Sequence, residues 1–341
     1  MKRLTTKLTR AASFALSSLL LLAATTARPQ APAPQAPESK TVTIILTAVG
    51  KDGRAFTSLK AEDVSVEEDG RPRVVTGLEH RSDLPLLLAI GLDSSTSQER
   101  VIDGTKMTAG ELVRNVMRPG TDRAAVFSFT NETTLEQEMT ADAAKVREGI
   151  ARVKVASPTL PGAFGAIVTG PIPKSPPNMP GTTAVWESVA AVCDDLLSQT
   201  SAPGRRAIVL ITDGVDTSST IELDDAVRSA LQTNAAVYAV GIGDQDYAGL
   251  ERDSLRKLSE RTGGRAFFPK KVKNLPEVFA GLREHLFSAY VLTFTTPYTR
   301  PDGSFRKLKV TLRGEAARRA GVEVDFPHGY FAGNAPPALR D

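Results

Sequence analysis

The chain has 341 residues, of which 41 % are hydrophobic and 24 % charged, the proportions of an ordinary globular protein. Its formal charge of +3 is concentrated in the first 27 residues, which hold Lys2, Arg3, Lys7 and Arg10 and no acid; beyond them 38 basic residues face 39 acidic ones, a net of −1. That balance gives no basic character to suggest nucleic-acid binding, and the length predicts one domain of about 200 residues with smaller additions.

Residues 1–27 combine a cationic start, an apolar core from Phe14 to Ala24 and the small-residue end Thr25-Thr26-Ala27, the pattern of a secretory signal peptide. The core is shorter than the roughly 20 residues that span a bilayer. No cysteine stands nearby to carry a lipid, and no later segment is apolar enough to span. An exported protein is expected, periplasmic or secreted. Residues 28–40, RPQAPAPQAPESK, form an extended Pro/Ala/Gln linker.

An N-terminal β segment follows over 41–83. Thr41–Val49 is a β-branched strand pattern, Gly50-Lys51-Asp52-Gly53 a turn, and Asp63–Gly70 alternates apolar and polar residues before Arg73-Val74-Val75. This predicts at most two or three strands, too few to stand alone.

From 84 to 289, strand and helix patterns alternate. The run Leu84–Leu92 (LPLLLAIGL) reads as a strand buried on both faces. Ala124–Phe129, Ala207–Thr212 and Ala236–Ile242 are further short apolar runs. Helical stretches are expected near 106–117, 141–153, 184–197, 221–233 and 250–262, with a short edge strand at 265–269 and a closing helix over 275–288. Such alternation implies a doubly wound α/β fold, a mostly parallel sheet covered on both faces. Residues 156–182 form a long Pro/Gly-rich loop, and long loops are commonly functional or disordered. The single cysteine, Cys193, falls in a helical pattern and reads as a buried thiol; His80, His285 and His328 offer it no protease context.

The C-terminal segment 290–332 returns to β patterning. Tyr290–Thr296 and Phe305–Arg313 flank the turn Pro301-Asp302-Gly303 and read as a hairpin, expected to pair with the early β segment; 333–341 is a tail.

Three oxygen-rich clusters end or follow these elements. Asp93-Ser94-Ser95-Thr96-Ser97 closes the buried strand, where open α/β sheets keep ligand sites. Thr182-Thr183-Ala184 opens a helix, and Asp213-Gly214 closes the strand AIVLIT. Carboxylates and hydroxyls together suit a hard cation such as Mg²⁺. Alone, Asp-x-Ser-x-Ser is a weak signal, since Ser and Asp also cap helices. The three clusters together resemble the metal-ion-dependent adhesion site of the von Willebrand factor type A domain.

The resemblance covers about 84–289 and implies a Rossmann-like sheet. It also implies a metal set of Asp93, Ser95, Ser97, Thr183 and Asp213. The ion would be Mg²⁺, with Mn²⁺ and Ca²⁺ as alternatives, and a position left open for a carboxylate of a protein partner. Thr96 stands where many members have glycine, so a positive φ there would be costly. Thr182-Thr183 replaces the common Gly-Thr pair; Thr183 is taken because Ala184 and the helix follow it, leaving Thr182 as an N-cap. Asp216, Asp244 and Asp246 read as capping or loop residues. The flanks LKAEDVSVEEDGRPR and FRKLKV…HGYFA resemble an exported bacterial subgroup of such proteins.

The expected function is therefore a non-catalytic, cation-dependent protein-binding module for adhesion or assembly, with no role in nucleic-acid binding. No Gly-x-Ser-x-Gly, His-Glu-x-x-His or phosphate-cradling loop is present. The enzymatic alternative is a Mg²⁺-dependent haloacid-dehalogenase-like phosphotransferase with Asp93 as nucleophile and Asp213 on the metal. It expects a carboxylate where Ser95 stands. A metal-free structural scaffold is the third reading.

Overall fold

The β-branched opening KTVTIILTAV forms strand β1 (Lys40–Val49), followed by β2 (Val64–Glu68), β3 (Arg71–Arg73) and β4 (Val75–His80). A computed structural model describes residues 39–155, 182–242 and 249–334. The expected signal peptide, almost all of the linker and of the 156–182 loop, Asp244, Asp246 and the last residues of the tail lie outside the described residues.

The α/β part comprises β5 (Leu86–Asp93), α1 (Ile102–Val116), β6 (Arg123–Phe129), β7 (Thr133–Thr140) and α2 (Ala143–Arg152). After the loop come α3 (Val185–Ala191), which continues as a π-helical turn to Leu197, then β8 (Arg205–Thr212), α4 (Leu223–Gln232) and β9 (Ala235–Gly241). Then follow α5 (Arg252–Arg261), β10 (Ala266–Phe267) and α6 (Leu275–Phe287). The chain closes with β11 (Ala289–Thr296), β12 (Phe305–Leu312), α7 (Glu315–Arg319), β13 (Glu323–Asp325) and β14 (Gly329–Phe331).

The central sheet has six strands in the order β10-β9-β8-β5-β6-β7. All pairings are parallel except β6 with β7. All eight residues of β5 are buried, as expected of a strand covered on both faces. One hydrophobic cluster joins Leu88, Ile90 and Val209 to residues of α1, α2 and α6. A second joins Ala89, Ile208 and Leu210 to residues of α3, α4 and α5. This is the doubly wound α/β architecture the alternation predicts. The sequence reading misses β7: TTLEQEMT is largely exposed at the sheet edge, so it carries no apolar run.

The flanking strands build more than expected. They form two four-stranded antiparallel sheets, β13-β1-β11-β4 and β14-β12-β2-β3. The sheets share a core in which Leu46, Tyr290, Leu292 and Phe294 meet Val64, Val66, Leu308 and Val310. Early and late segments do pair, β11 with β1 and β4, and β12 with β2. The expected hairpin is a correction: β11 and β12 lie in different sheets and do not pair with each other. Each finds an N-terminal partner instead, which buries both apolar faces between the sheets. Among the described residues no helix is long and apolar enough to cross a membrane.

Candidate functional site

Adjacent parallel strands in register bring the carboxyl ends of β5 and β8 side by side, Leu92 facing Ile211. Asp93, Thr212 and Asp213 therefore converge although 119 residues separate Asp93 from Thr212. Beyond β5 the chain turns at once: Ser95 N donates to Asp93 Oδ1 at 2.9 Å, and Thr96–Gln98 form a short 3-10 turn. That turn brings Ser95 and Ser97 to the same side, their hydroxyl oxygens 3.0 Å apart. Thr96 is not among the residues with positive φ, so the missing glycine causes no strain.

The second loop reverses direction at Gly214, whose φ of +78° lies in the left-handed region where a Cβ is disfavoured. A side chain there would also strike Leu255. The turn lets Gly214 N donate to Thr212 Oγ1 at 3.0 Å and Val215 N to Asp213 Oδ1 at 3.0 Å.

These turns join Asp93, Ser95, Ser97 and Asp213 in one polar cluster. Ser97 Oγ donates to Asp213 Oδ2 at 2.6 Å, and Thr212 Oγ1 donates to Asp93 Oδ2 at 2.6 Å. Asp93 and Asp213 are each 1 % exposed. Asp93 is pushed up to about 6, first by burial and then by the like charge of Asp213; hydrogen bonds from Ser95 and Thr212 act the other way.

Thr183 is brought to the same rim through its backbone. Its carbonyl accepts from Thr217 N at 2.9 Å and Ser218 N at 3.1 Å, both on the loop after Asp213. Ala184 N donates to Thr130 O at 2.7 Å, just past Phe129, the residue opposite Asp93. Among the described residues, no hydrogen bond joins the Thr183 hydroxyl to the other four. Asp216 holds the start of α3, accepting from Trp186 N at 3.1 Å and Ser219 N at 3.0 Å, the capping role expected of it.

Two residues of the cluster escape the sequence reading. Gln98 is 2 % exposed and donates to Asp213 Oδ2 at 3.0 Å; Thr212 is fully buried beneath Asp93. Thr212 ends an apolar strand beside an aspartate, a usable signal. Gln98 has none, since only the turn aims it inward. Cys193 is buried and unpaired, its thiol pushed up to about 12 chiefly by burial, so it is no nucleophile.

The donors present fit a hard divalent cation: two buried carboxylates with hydroxyls between them. Among the described residues no group of three or more His, Cys, Asp or Glu side chains could hold a metal.

Among solved structures the chain is similar to proximal thread matrix protein 1 from the mussel byssus, at 12 % identity and a TM-score of 0.47 over 69 % of this chain and 50 % of that one. It thus spans about half the length of that protein. The same mussel protein with a zinc-occupied MIDAS motif aligns at 14 % identity and a TM-score of 0.47, covering 64 % of this chain and 49 % of that one. A von Willebrand factor type A structure from Catenulispora acidiphila aligns at 12 % identity and a TM-score of 0.46, covering 88 % of this chain and 74 % of that one. No curated protein matches the chain in sequence. Residues 174–281, which contain Thr183 and Asp213, match the family model of the von Willebrand factor type A domain.

Proposed function

We propose that the protein is an exported, cation-dependent protein-binding module, and that Asp93, Ser95, Ser97, Thr183 and Asp213 hold a divalent cation, Mg²⁺ in the first instance. The observation that supports this reading is the pair of buried carboxylates, Asp93 and Asp213, bridged through Ser95 and Ser97. Burying like charges together is costly unless a cation joins them. Asp93 and Asp213 would balance its charge, and the serine and threonine hydroxyls would add neutral oxygens. A bound cation supplies a Lewis-acidic point for a carboxylate of a protein partner. Thr212 and Gln98 fix the two aspartates in place.

The phosphotransferase reading meets an obstacle: two positions after Asp93, where a carboxylate is needed, stands Ser95.

Calorimetric titration with Mg²⁺ and Mn²⁺ tests the site. Saturable binding in the parent, lost in Asp93→Ala, is expected; absence of both heat and thermal shift in the parent leaves a metal-free scaffold. Pull-down from the native envelope fraction with and without chelator tests the partner: proteins retained only with the cation are expected.

A further inference from the structure

At the other end of the central sheet from Asp93, the amino-terminal ends of β8 and β9 meet β1 around a cavity of ≈ 60 Å³. Ile45, Leu231 and Leu286 line it, together with Thr47, Arg205 and Arg206. Its polar lining is incompletely satisfied. Arg205 is 5 % exposed; one guanidinium nitrogen donates to the Leu286 carbonyl, but its Nε has no partner. Arg206 donates to the carbonyls of Thr233 and Thr200 and likewise has a lone Nε. Thr47, 3 % exposed, has no partner in hydrogen-bond geometry for its hydroxyl, although Tyr238 is its neighbour.

Among the described residues the charge on Arg205 has no ion-pair partner. Two acids that act on it, Asp122 and Asp83, are already paired, Asp122 with Arg118 and Asp83 with Arg81. Guanidinium keeps its charge at any ordinary pH, and an unpaired buried charge is destabilising. Such a charge beside a cavity is stabilised by an anion placed there.

Size and lining limit which anion. A cavity needs about 10–15 Å³ to hold one water, and one of about 150 Å³ accepts benzene; this one lies between. Its aliphatic wall disfavours a strongly hydrated dianion. A guanidinium matches the carboxylate group, which it can bind through two parallel hydrogen bonds.

We propose that this cavity binds a small aliphatic monocarboxylate, about two or three carbons long, its carboxylate on Arg205 and Thr47 and its alkyl end among Ile45, Leu231 and Leu286.

The test uses the full chain, with sodium propionate as probe, followed by thermal shift and calorimetry at constant ionic strength. Saturable stabilisation by propionate is expected, with sulfate and chloride giving much less. Affinity should fall about tenfold or more in Arg205→Gln. It should also fall in Ile45→Phe, which fills the cavity while leaving the guanidinium in place. Asp93→Ala should bind propionate as the parent does, which separates this site from the cation site. Absence of saturable stabilisation in the parent, equal stabilisation by chloride or sulfate, or undiminished binding in a folded Ile45→Phe protein overturns the proposal.

Discussion

Asp93 concentrates the physics of the cation site in one carboxylate. Its folded value of about 6 lies above the ordinary 3.8, so in the metal-free protein it favours folding below pH 4. That contribution is lost as the pH rises through about 6. The loss amounts to about 3 kcal/mol from the size of the shift. Asp93→Asn should therefore make the metal-free protein more stable at pH 7 by up to that amount, and should flatten its stability between pH 4 and 7. The same change should abolish stabilisation by Mg²⁺; denaturant unfolding with and without Mg²⁺ measures both effects. Gln98 offers a second residue-scale prediction. Its amide restrains Asp213 from the side, so Gln98→Ala should weaken cation affinity several-fold while leaving the fold intact, as titration calorimetry would show.

At the scale of elements, β5 is the strand on which the site depends. Gly91 sits under the Phe127 ring, where a Cβ would come within 2.3 Å of the ring carbon Cζ, and Phe127 is fully buried with nowhere to move. Gly91→Val should cost roughly 1–3 kcal/mol by overpacking, read as a lowered urea midpoint. The other end of β5 is tied down by Asp122, fully buried. It accepts from Leu86 N at 2.8 Å and from two guanidinium nitrogens of Arg118 at 2.8 and 2.9 Å. Arg118 in turn donates to the carbonyls of Ser82 and Leu84. Asp122→Ala leaves that guanidinium and two backbone amides, those of Leu86 and Arg118, without this acceptor and should destabilise by about 3–5 kcal/mol. A drop of less than about 1 kcal/mol in chemical unfolding would show that the anchor is dispensable.

For the molecule as a whole, the eight flanking strands act as one sandwich made from both ends of the chain. Its sheet β13-β1-β11-β4 is tied to the α/β part where Arg265, just before β10, pairs with Asp325 on β13 at 3.0 Å. Burial alone would raise Asp325, but the hydrogen-bonded Arg265 guanidinium and His285, whose Nδ1 lies 3.4 Å from Oδ2, outweigh it and hold its carboxyl below the usual value. Its contribution is therefore present above the ordinary carboxylate range and lost on acidification through the depressed value. A protein truncated after Ser288 keeps β1–β4 but removes β11, which pairs with β1 and β4, and β12, which pairs with β2. It should expose unpaired strand edges and the apolar faces behind them, and aggregate. A soluble, monomeric truncated chain with parental stability would show instead that the sandwich is an independent addition.

The amino-acid sequence by itself determined what is periodic or local. Continuous apolar runs marked β5, β6, β8 and β9 because strands buried on both faces need apolar side chains at every position. Oxygen-bearing residues at the ends of two of them located Asp93 and Asp213. Tertiary structure decided whatever depends on a distant partner. Edge strand β7 is polar because one side faces solvent, and β11 and β12 separate because each has a better partner early in the chain. Gln98 joins the site only because a turn points it inward, and Arg205 stands unpaired only because the acids near it are already engaged. Pairing and burial are relations between segments far apart in the chain, and no local pattern records them.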